Sequence, residues 1–272
     1  MEPQFTFQIG RTALMDQHLF GAILPPVAIL KRDAILQHAV NTTNSLVLPQ
    51  QAAPLPPFFD WLSQNRVTSV KCQWGNDCWA FASTADLESA IMIAENTSQE
   101  PNLSEQQVID CTAAGTYAKG GWWGPVFAYF ETNGITDENT CPYAHQDGPC
   151  QQLNGPPYFV KNWDFVSPDG TDSTVNQLKH AIADHGPIVA GIVASNLFES
   201  YTNGVFNELT NCTLSVNHAI LIIGWDDSKM AWHVKNSWGS CDGCWGQNGL
   251  GWVAYGANRI GYNAAWVEMK KP

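Results

Sequence analysis

Between Cys78 and Ala94 the chain is rich in Ala, Leu, Ile and Glu and contains neither Gly nor Pro. This makes it the best long-helix candidate in the sequence and predicts a buried helix. Ser104 and Gln107 have capping-box spacing ahead of Val108 and Ile109, so a second, shorter helix is expected to start there. Pro125 to Glu131 reads as a third, stopped by Gly134. Beyond about Pro157 the pattern changes. Apart from a helix expected from Thr174 to about His185, closed by Gly186 and Pro187, the apolar segments are short and bounded by Gly. Strands are predicted at Ile188 to Val193, Ala219 to Gly224, Trp232 to Lys235, Trp252 to Tyr255 and Trp266 to Met269. A helical first half followed by a strand-rich second half predicts an α+β protein of two lobes, with the working site in a cleft between them.

The N-terminal stretch stands apart. Residues 1 to 52 lack Cys and Trp and run into Pro49, Pro54, Pro56 and Pro57, which reads as a separable segment and linker. The expected organisation is therefore an extension over 1–52, a helical lobe over 53–157 and a β-rich lobe over 158–272. Met1 to Gly10 shows no basic region followed by an apolar one, so no signal peptide is read there. The longest apolar run, Phe20 to Leu30, is broken by Pro25 and Pro26 and falls short of the ~20 residues that span a bilayer.

The formal net charge is −12 and the sequence pI about 4.8, which argues against nucleic acid and anionic membranes as partners. Hydrophobic residues make up 44% of the chain, too many for a disordered protein. Eight cysteines point to an oxidising compartment, and sequons at Asn41, Asn96, Asn102 and Asn211 are compatible with secretion. Cys241 and Cys244 form a single CxxC pair, a weak zinc signal without a second such pair. No metal site and no cofactor is expected.

Three polar residues stand in chemically telling places: Cys78 opens the Ala-rich helix, His218 precedes the predicted strand Ala219 to Gly224, and Asn236 follows Lys235. A thiol at a helix N-terminus has its thiolate favoured by the helix dipole, and an imidazolium brought beside it favours it further. An Asn oxygen on the other ring nitrogen fixes the tautomer and orientation of the His. The acyl intermediate also needs an oxyanion hole, for which the Gln73 amide and the Cys78 backbone N–H are candidates.

Five stretches carry a resemblance: Gln73 to Ala82 (QWGNDCWAFA), Leu103 to Cys111 (LSEQQVIDC), Gly120 with Gly121, Asn217 to Gly224 (NHAILIIG) and Lys235 to Gly239 (KNSWG). In this order they resemble the papain family of cysteine peptidases over residues 54 to 272, and the tail Gly251 to Glu268 looks more like bacterial members. The resemblance implies a papain-like two-lobe fold, with a helical left lobe and a β-barrel-like right lobe. It implies a monomeric endopeptidase, acting on polypeptides through a thioester, open to cystatin-like inhibitors, and secreted or held in a lysosome-like or vacuole-like compartment. By it Cys78 is the nucleophile, His218 the general base and acid, Asn236 the orienting residue and Gln73 the oxyanion donor. Gly120 and Gly121 would hold an extended peptide by backbone hydrogen bonds, and Trp123, Gly191, Val216, Ala219 and Ala265 would form a pocket for a bulky apolar side chain. Trp238 would shield the Asn236 to His218 hydrogen bond from water. Residues 1–52 would be a prosegment whose apolar parts, Phe20 to Leu30 and Leu46 to Leu48, dock on the enzyme until cleavage around Gln50 to Pro54.

The chain also departs from the family pattern. Where Cys-Gly-Ser-Cys-Trp is usual, Gly75, Asn76, Asp77, Cys78 and Trp79 stand, and the usual disulfide partner of the missing Cys is replaced by Ala118. Asp77 puts a carboxylate beside the nucleophile, which would either support a cationic His218 or raise the thiol pKa, according to geometry. With Cys78 set aside, seven cysteines remain, so at least one thiol is unpaired. Family spacing pairs Cys111 with Cys150, with Cys141 as competitor, and Cys241 with Cys244 or Cys212. A catalytically silent binding protein on the same scaffold, or a peptide ligase or transamidase, are the alternatives to a peptidase.

Overall fold

In a computed structural model, residues 5–7, 54–151, 158–167, 172–208, 215–239 and 245–271 are described. The longest helix, α1 (Cys78–Ala94), is buried at every position from Cys78 to Met92. Its Gly-free, Ala-rich sequence lets neighbours pack on all sides of it. α2 (Glu105–Cys111) begins as expected, with the Ser104 hydroxyl accepting from Gln107 N–H, and α3 (Trp123–Phe130) starts two residues before Pro125. α4 (Val175–His185) has a full capping box between Thr174 and Gln177 and ends at Gly186. A short α5 (Asn196–Glu199) completes the α-helices among the described residues, and a 3-10 turn follows at Ala257–Arg259.

The strands are β1 (Phe5–Phe7), β2 (Phe58–Asp60), β3 (Gly115–Thr116), β4 (Gly120–Gly121), β5 (Val160–Phe165), β6 (Ile188–Ile192), β7 (Tyr201–Phe206), β8 (His218–Asp226), β9 (Ala231–Lys235), β10 (Leu250–Ala254) and β11 (Tyr262–Met269). The large sheet runs β1-β7-β10-β9-β8-β6-β11-β5, with β2 added on β8, while β3 and β4 form a separate hairpin. All five predicted strands are present. β1 to β5 and β7 were not anticipated: the mixed polar run of β5 and the Gly-interrupted run of β7 lack a clean alternation.

β8 is buried along its whole length because both of its faces are covered. Leu221 and Ile223 pack with Ala85 of α1, whereas Ile220 and Ile222 face a second core with Leu178 and Ile182 of α4. The helical side has its own cluster, in which Trp79, Leu87, Val108, Phe127 and Phe130 meet Val189, Ala265 and Val267 of the sheet. Thus α1 is clamped between the smaller helices and the sheet. Cys111 and Cys150 are joined by a disulfide with Cα atoms 4.6 Å apart, Cys141 is a free thiol, and Cys72 is also disulfide-bonded. Phe20 to Leu30, Leu46 to Leu48, Cys212, Cys241 and Cys244 lie outside the described residues.

Candidate active site

Antiparallel pairing brings the polar residues together. β8 and β9 pair with Leu221 opposite Lys235, so the start of β8 and the end of β9 lie at the same edge. His218 opens β8 and Asn236 follows β9, and their side chains meet with His218 Nε2 2.8 Å from Asn236 Oδ1. Both are buried, at 0% and 2% exposure. Trp238 lies flat on the imidazole, with ring centroids 4.3 Å apart and planes inclined by 26°. His218 Nδ1 has no hydrogen-bond partner.

α1 packs across β8, which carries its first residue to the same place: the backbone N–H groups of Ala219 and Trp79 face the Cys78 sulfur. The electrostatics run opposite to the expectation of a ready thiolate. Burial pushes the Cys78 thiol up to about 12, against the pull of those N–H groups, and the Asp77 carboxylate raises it further. Burial likewise lowers His218 to about 4, although the Asn236 bond favours its charged form. Burial thus works against the charged form of both groups.

Gln73 is drawn to the same edge. Its backbone N–H donates to Ser237 O at 2.9 Å, and Cys72 bridges Trp238 as an isolated antiparallel pair. Its side-chain Oε1 accepts from Ser237 Oγ at 2.5 Å, and one Nε2 hydrogen goes to Gly75 O at 2.8 Å, which leaves the second amide hydrogen free to donate.

The residues expected to contact substrate also converge. Gly120 and Gly121 pair with Thr116 and Gly115, and a Cβ on Gly121 would sit 2.5 Å from the Trp79 ring. Trp123, Val216, Ala219 and Ala265 belong to one apolar cluster. Gly191 pairs with Ala219, and a Cβ on it would come 2.7 Å from Val216. Trp123 is held by its indole N–H on Asn263 O at 3.1 Å.

Two residues near Cys78, Tyr117 and Tyr143, were not singled out from sequence. Tyr117 packs its ring where a Gly75 side chain would be, and Asn76 bonds to Tyr117 O through its N–H and to Ala118 O through Nδ2 at 2.6 Å. These contacts tie the loop before Cys78 to the Gly-Gly hairpin where the family pattern has a disulfide. Tyr143 donates to Asp77 Oδ2 at 2.5 Å. The replacement of Ser by Asp before Cys78 was the one available signal for such a partner. Among the described residues no group of His, Cys, Asp and Glu could hold a metal ion.

Residues 55–269 match the sequence profile of the papain family cysteine proteases. The chain belongs to that family. It is similar to zingipain-2 of Zingiber officinale, at 36% identity over 72% of this chain and 86% of that one. It is also similar to cathepsin S of Bos taurus, at 37% identity over 76% and 66% of the two chains. Among solved structures, the digestive procathepsin L2 of Tenebrio molitor larval midgut matches with a TM-score of 0.78 at 27% identity, covering 97% of this chain and 84% of that one. Bromelain from Ananas comosus, in complex with the E64 inhibitor, matches at 0.68 and 29%, over 79% and 100%. This member of the papain family is a cysteine peptidase, and its α+β architecture is the papain-like one.

Proposed function

We propose that the chain is an endopeptidase made as a zymogen, with Cys78 as nucleophile, His218 as base and acid, Asn236 as orienting residue and Gln73 as oxyanion donor. The observation that carries this is the His218 Nε2 to Asn236 Oδ1 bond, which leaves Nδ1 unpartnered at the edge where α1 delivers Cys78. In the reaction, the Cys78 thiol proton passes to Nδ1 as sulfur bonds to the scissile carbonyl carbon. The oxyanion that forms accepts from the Gln73 amide and the Cys78 N–H. Collapse expels the amine, which takes the proton from Nδ1, and leaves a thioester. Water then attacks with His218 as base, the acid product departs, and the proton on His218 returns to the Cys78 sulfur. Burial raises the thiol and lowers the imidazole, so in the free protein it works against charge on both.

The small, apolar residues Gly191, Val216, Ala219 and Ala265 beside Trp123 favour a bulky apolar side chain two residues before the cleaved bond. Residues 1–52 act as a prosegment in this reading, supported by β1, which adds antiparallel to β7 from Phe5 opposite Gly204 to Phe7 opposite Tyr201. The disulfides favour an oxidising location, secreted or lysosome-like. The test is hydrolysis of short peptide amides by the full chain before and after cutting between Gln50 and Pro54, with Cys78→Ala and His218→Ala beside it. Hydrolysis that rises on cutting and vanishes in both variants is expected. Undiminished hydrolysis in Cys78→Ala would overturn the assignment, and equal rates before and after cutting would overturn the zymogen.

A further inference from the structure

Gly75 lies between Gln73 and Cys78 and is tied to the segments of both. Its carbonyl accepts from Gln73 Nε2 at 2.8 Å, and its N–H donates to Oδ1 of Asp77, the residue before Cys78, at 3.2 Å. The Gln73 amide is held at its other end by Ser237 Oγ, which donates to Oε1 at 2.5 Å. With the amide oxygen and one amide hydrogen both engaged, the plane of the amide is set, and so is the line along which its second hydrogen points. Where the Gly75 carbonyl stands therefore decides where Gln73 aims. The space beside Gly75 is taken by Tyr117: a Cβ on Gly75 would lie 2.5, 2.6 and 2.8 Å from Cε2, Cζ and Cδ2 of that ring. The backbone of Gly75 is not left-handed, so glycine serves here for room alone. The ring is itself placed by the turn of the hairpin of β3 and β4. There Asn76 N–H reaches Tyr117 O at 2.9 Å, Asn76 Nδ2 reaches Ala118 O at 2.6 Å, and Tyr117 N–H donates to Asp147 Oδ1 at 2.6 Å.

We propose that Tyr117 is a positioning residue for the oxyanion donor, its ring seated against Gly75 so that the Gly75 carbonyl holds the Gln73 amide in line with the developing oxyanion. The inference rests on the reading of Gln73 as that donor and deepens it. The same hairpin carries Gly120 and Gly121 a few residues further along, so one turn places both the backbone edge offered to substrate and the stop against which the amide is aimed. Aim matters because such a donor is worth about 100- to 1000-fold in rate, and only when it lies at hydrogen-bond distance from the oxyanion. The contact with Gly75 is made by ring carbons, so it depends on the shape of the ring and not on its hydroxyl.

The test is kcat and KM for a short peptide amide on the full chain, cut between Gln50 and Pro54, in wild type, Gly75→Ala, Tyr117→Ala, Tyr117→Phe and the pair Gly75→Ala with Tyr117→Ala, each also in a Gln73→Ala background. Alkylation of Cys78 by iodoacetamide is followed beside it, because sulfur there displaces iodide from carbon and no oxyanion forms. The added methyl of Gly75→Ala pushes ring and carbonyl apart, so kcat should fall about tenfold with KM within about twofold, a part of what the whole donor is worth. Tyr117→Ala should lower kcat about fivefold, Tyr117→Phe should keep it within about twofold, and the pair should be no worse than Tyr117→Ala, since the ring that met the methyl is gone. In Gln73→Ala protein none of these changes should move kcat by more than about twofold, and Cys78 alkylation should hold throughout. Losses that persist without the Gln73 amide, that Tyr117→Phe shares or that alkylation shares mark a merely structural residue and overturn the inference, as does wild-type kcat in Gly75→Ala and Tyr117→Ala. Should Gly75→Ala not fold, the contrast of Tyr117→Ala with Tyr117→Phe decides alone. A wild-type rate that Gln73→Ala leaves untouched instead overturns the reading of Gln73 as oxyanion donor, and this inference with it.

Discussion

His218 is stacked under Trp238, bonded to Asn236 and shut away from water, and these three facts set its chemistry. In Cys78→Ala protein its ring is expected to titrate near pH 4, well below the ordinary 6.5, when followed by proton NMR. A value of 6 or above would mean that the site is open to solvent. The sign for stability follows. Between pH 6.5 and 4 the unfolded chain binds a proton on this ring that the folded chain refuses, so the contribution is present above pH 6.5 and lost as pH falls through 4. It amounts to about 3 kcal/mol at most. Asn236→Ala removes the one bond that favours the charged ring, and peptide hydrolysis should fall on the order of 100-fold without vanishing. The types and settings of Cys78, His218 and Asn236 were legible in the sequence. Tyr143 was not, since a tyrosine in a loop after Cys141 shows nothing of the carboxyl it meets in space.

At the level of elements, residue preferences placed α1, α2 and α4 within a residue or so, because capping residues and Gly act locally. Strands were harder: β5 and β7 owe their state to neighbours that lie far off in sequence. Two glycines make the contrast testable. A Cβ on Gly121 would sit 2.5 Å from the Trp79 ring and 2.8 Å from Ala114 O, whereas on Gly124, inside α3, the nearest atom is at an ordinary 3.4 Å. Gly121→Ala should therefore lose about 1–3 kcal/mol in urea unfolding. Gly124→Ala should be neutral or gain up to about 1 kcal/mol from helix propensity. Equal effects would mean that the Gly-Gly hairpin does not press on Trp79.

Across the whole molecule the lobes are joined by a buried ionic cluster. Lys71 Nζ lies 2.8 Å from Glu88 Oε1 of α1 and 2.8 Å from Glu105 Oε1 of α2. Thr68 links Glu88 to Lys235 at the end of β9, through bonds of 2.5 and 2.8 Å. A cavity of about 20 Å³, room for one water, is lined by this cluster together with Asn236 and Ser237. Burial works against the charge on Lys71, but the carboxylates of Glu88 and Glu105 outweigh it and raise its pKa, while burial pushes Glu105 up to about 8. Lys71→Met leaves two buried carboxylates without their cation and should cost about 3–5 kcal/mol at neutral pH. The folded pKa of Glu105 then rises further, so the remaining stability is highest at acid pH and falls as pH rises through it. Urea titrations at pH 5 and 8 check this, and a variant equally stable at both would show that the cluster is not the joint between the lobes.

The helical first half and the strand-rich second half followed from sequence by local preference, and the Cys111 to Cys150 pairing by family pattern. They depend on runs and spacings that the chain carries in one dimension. The burial that works against charge on Cys78 and His218, the turn of Asp77 toward Tyr143 and the contacts of Tyr117 and Asn76 where the family pattern has a disulfide were decided only in three dimensions. Each depends on how much water a side chain has lost and on which distant segment has taken its place, and both are properties of the packed chain.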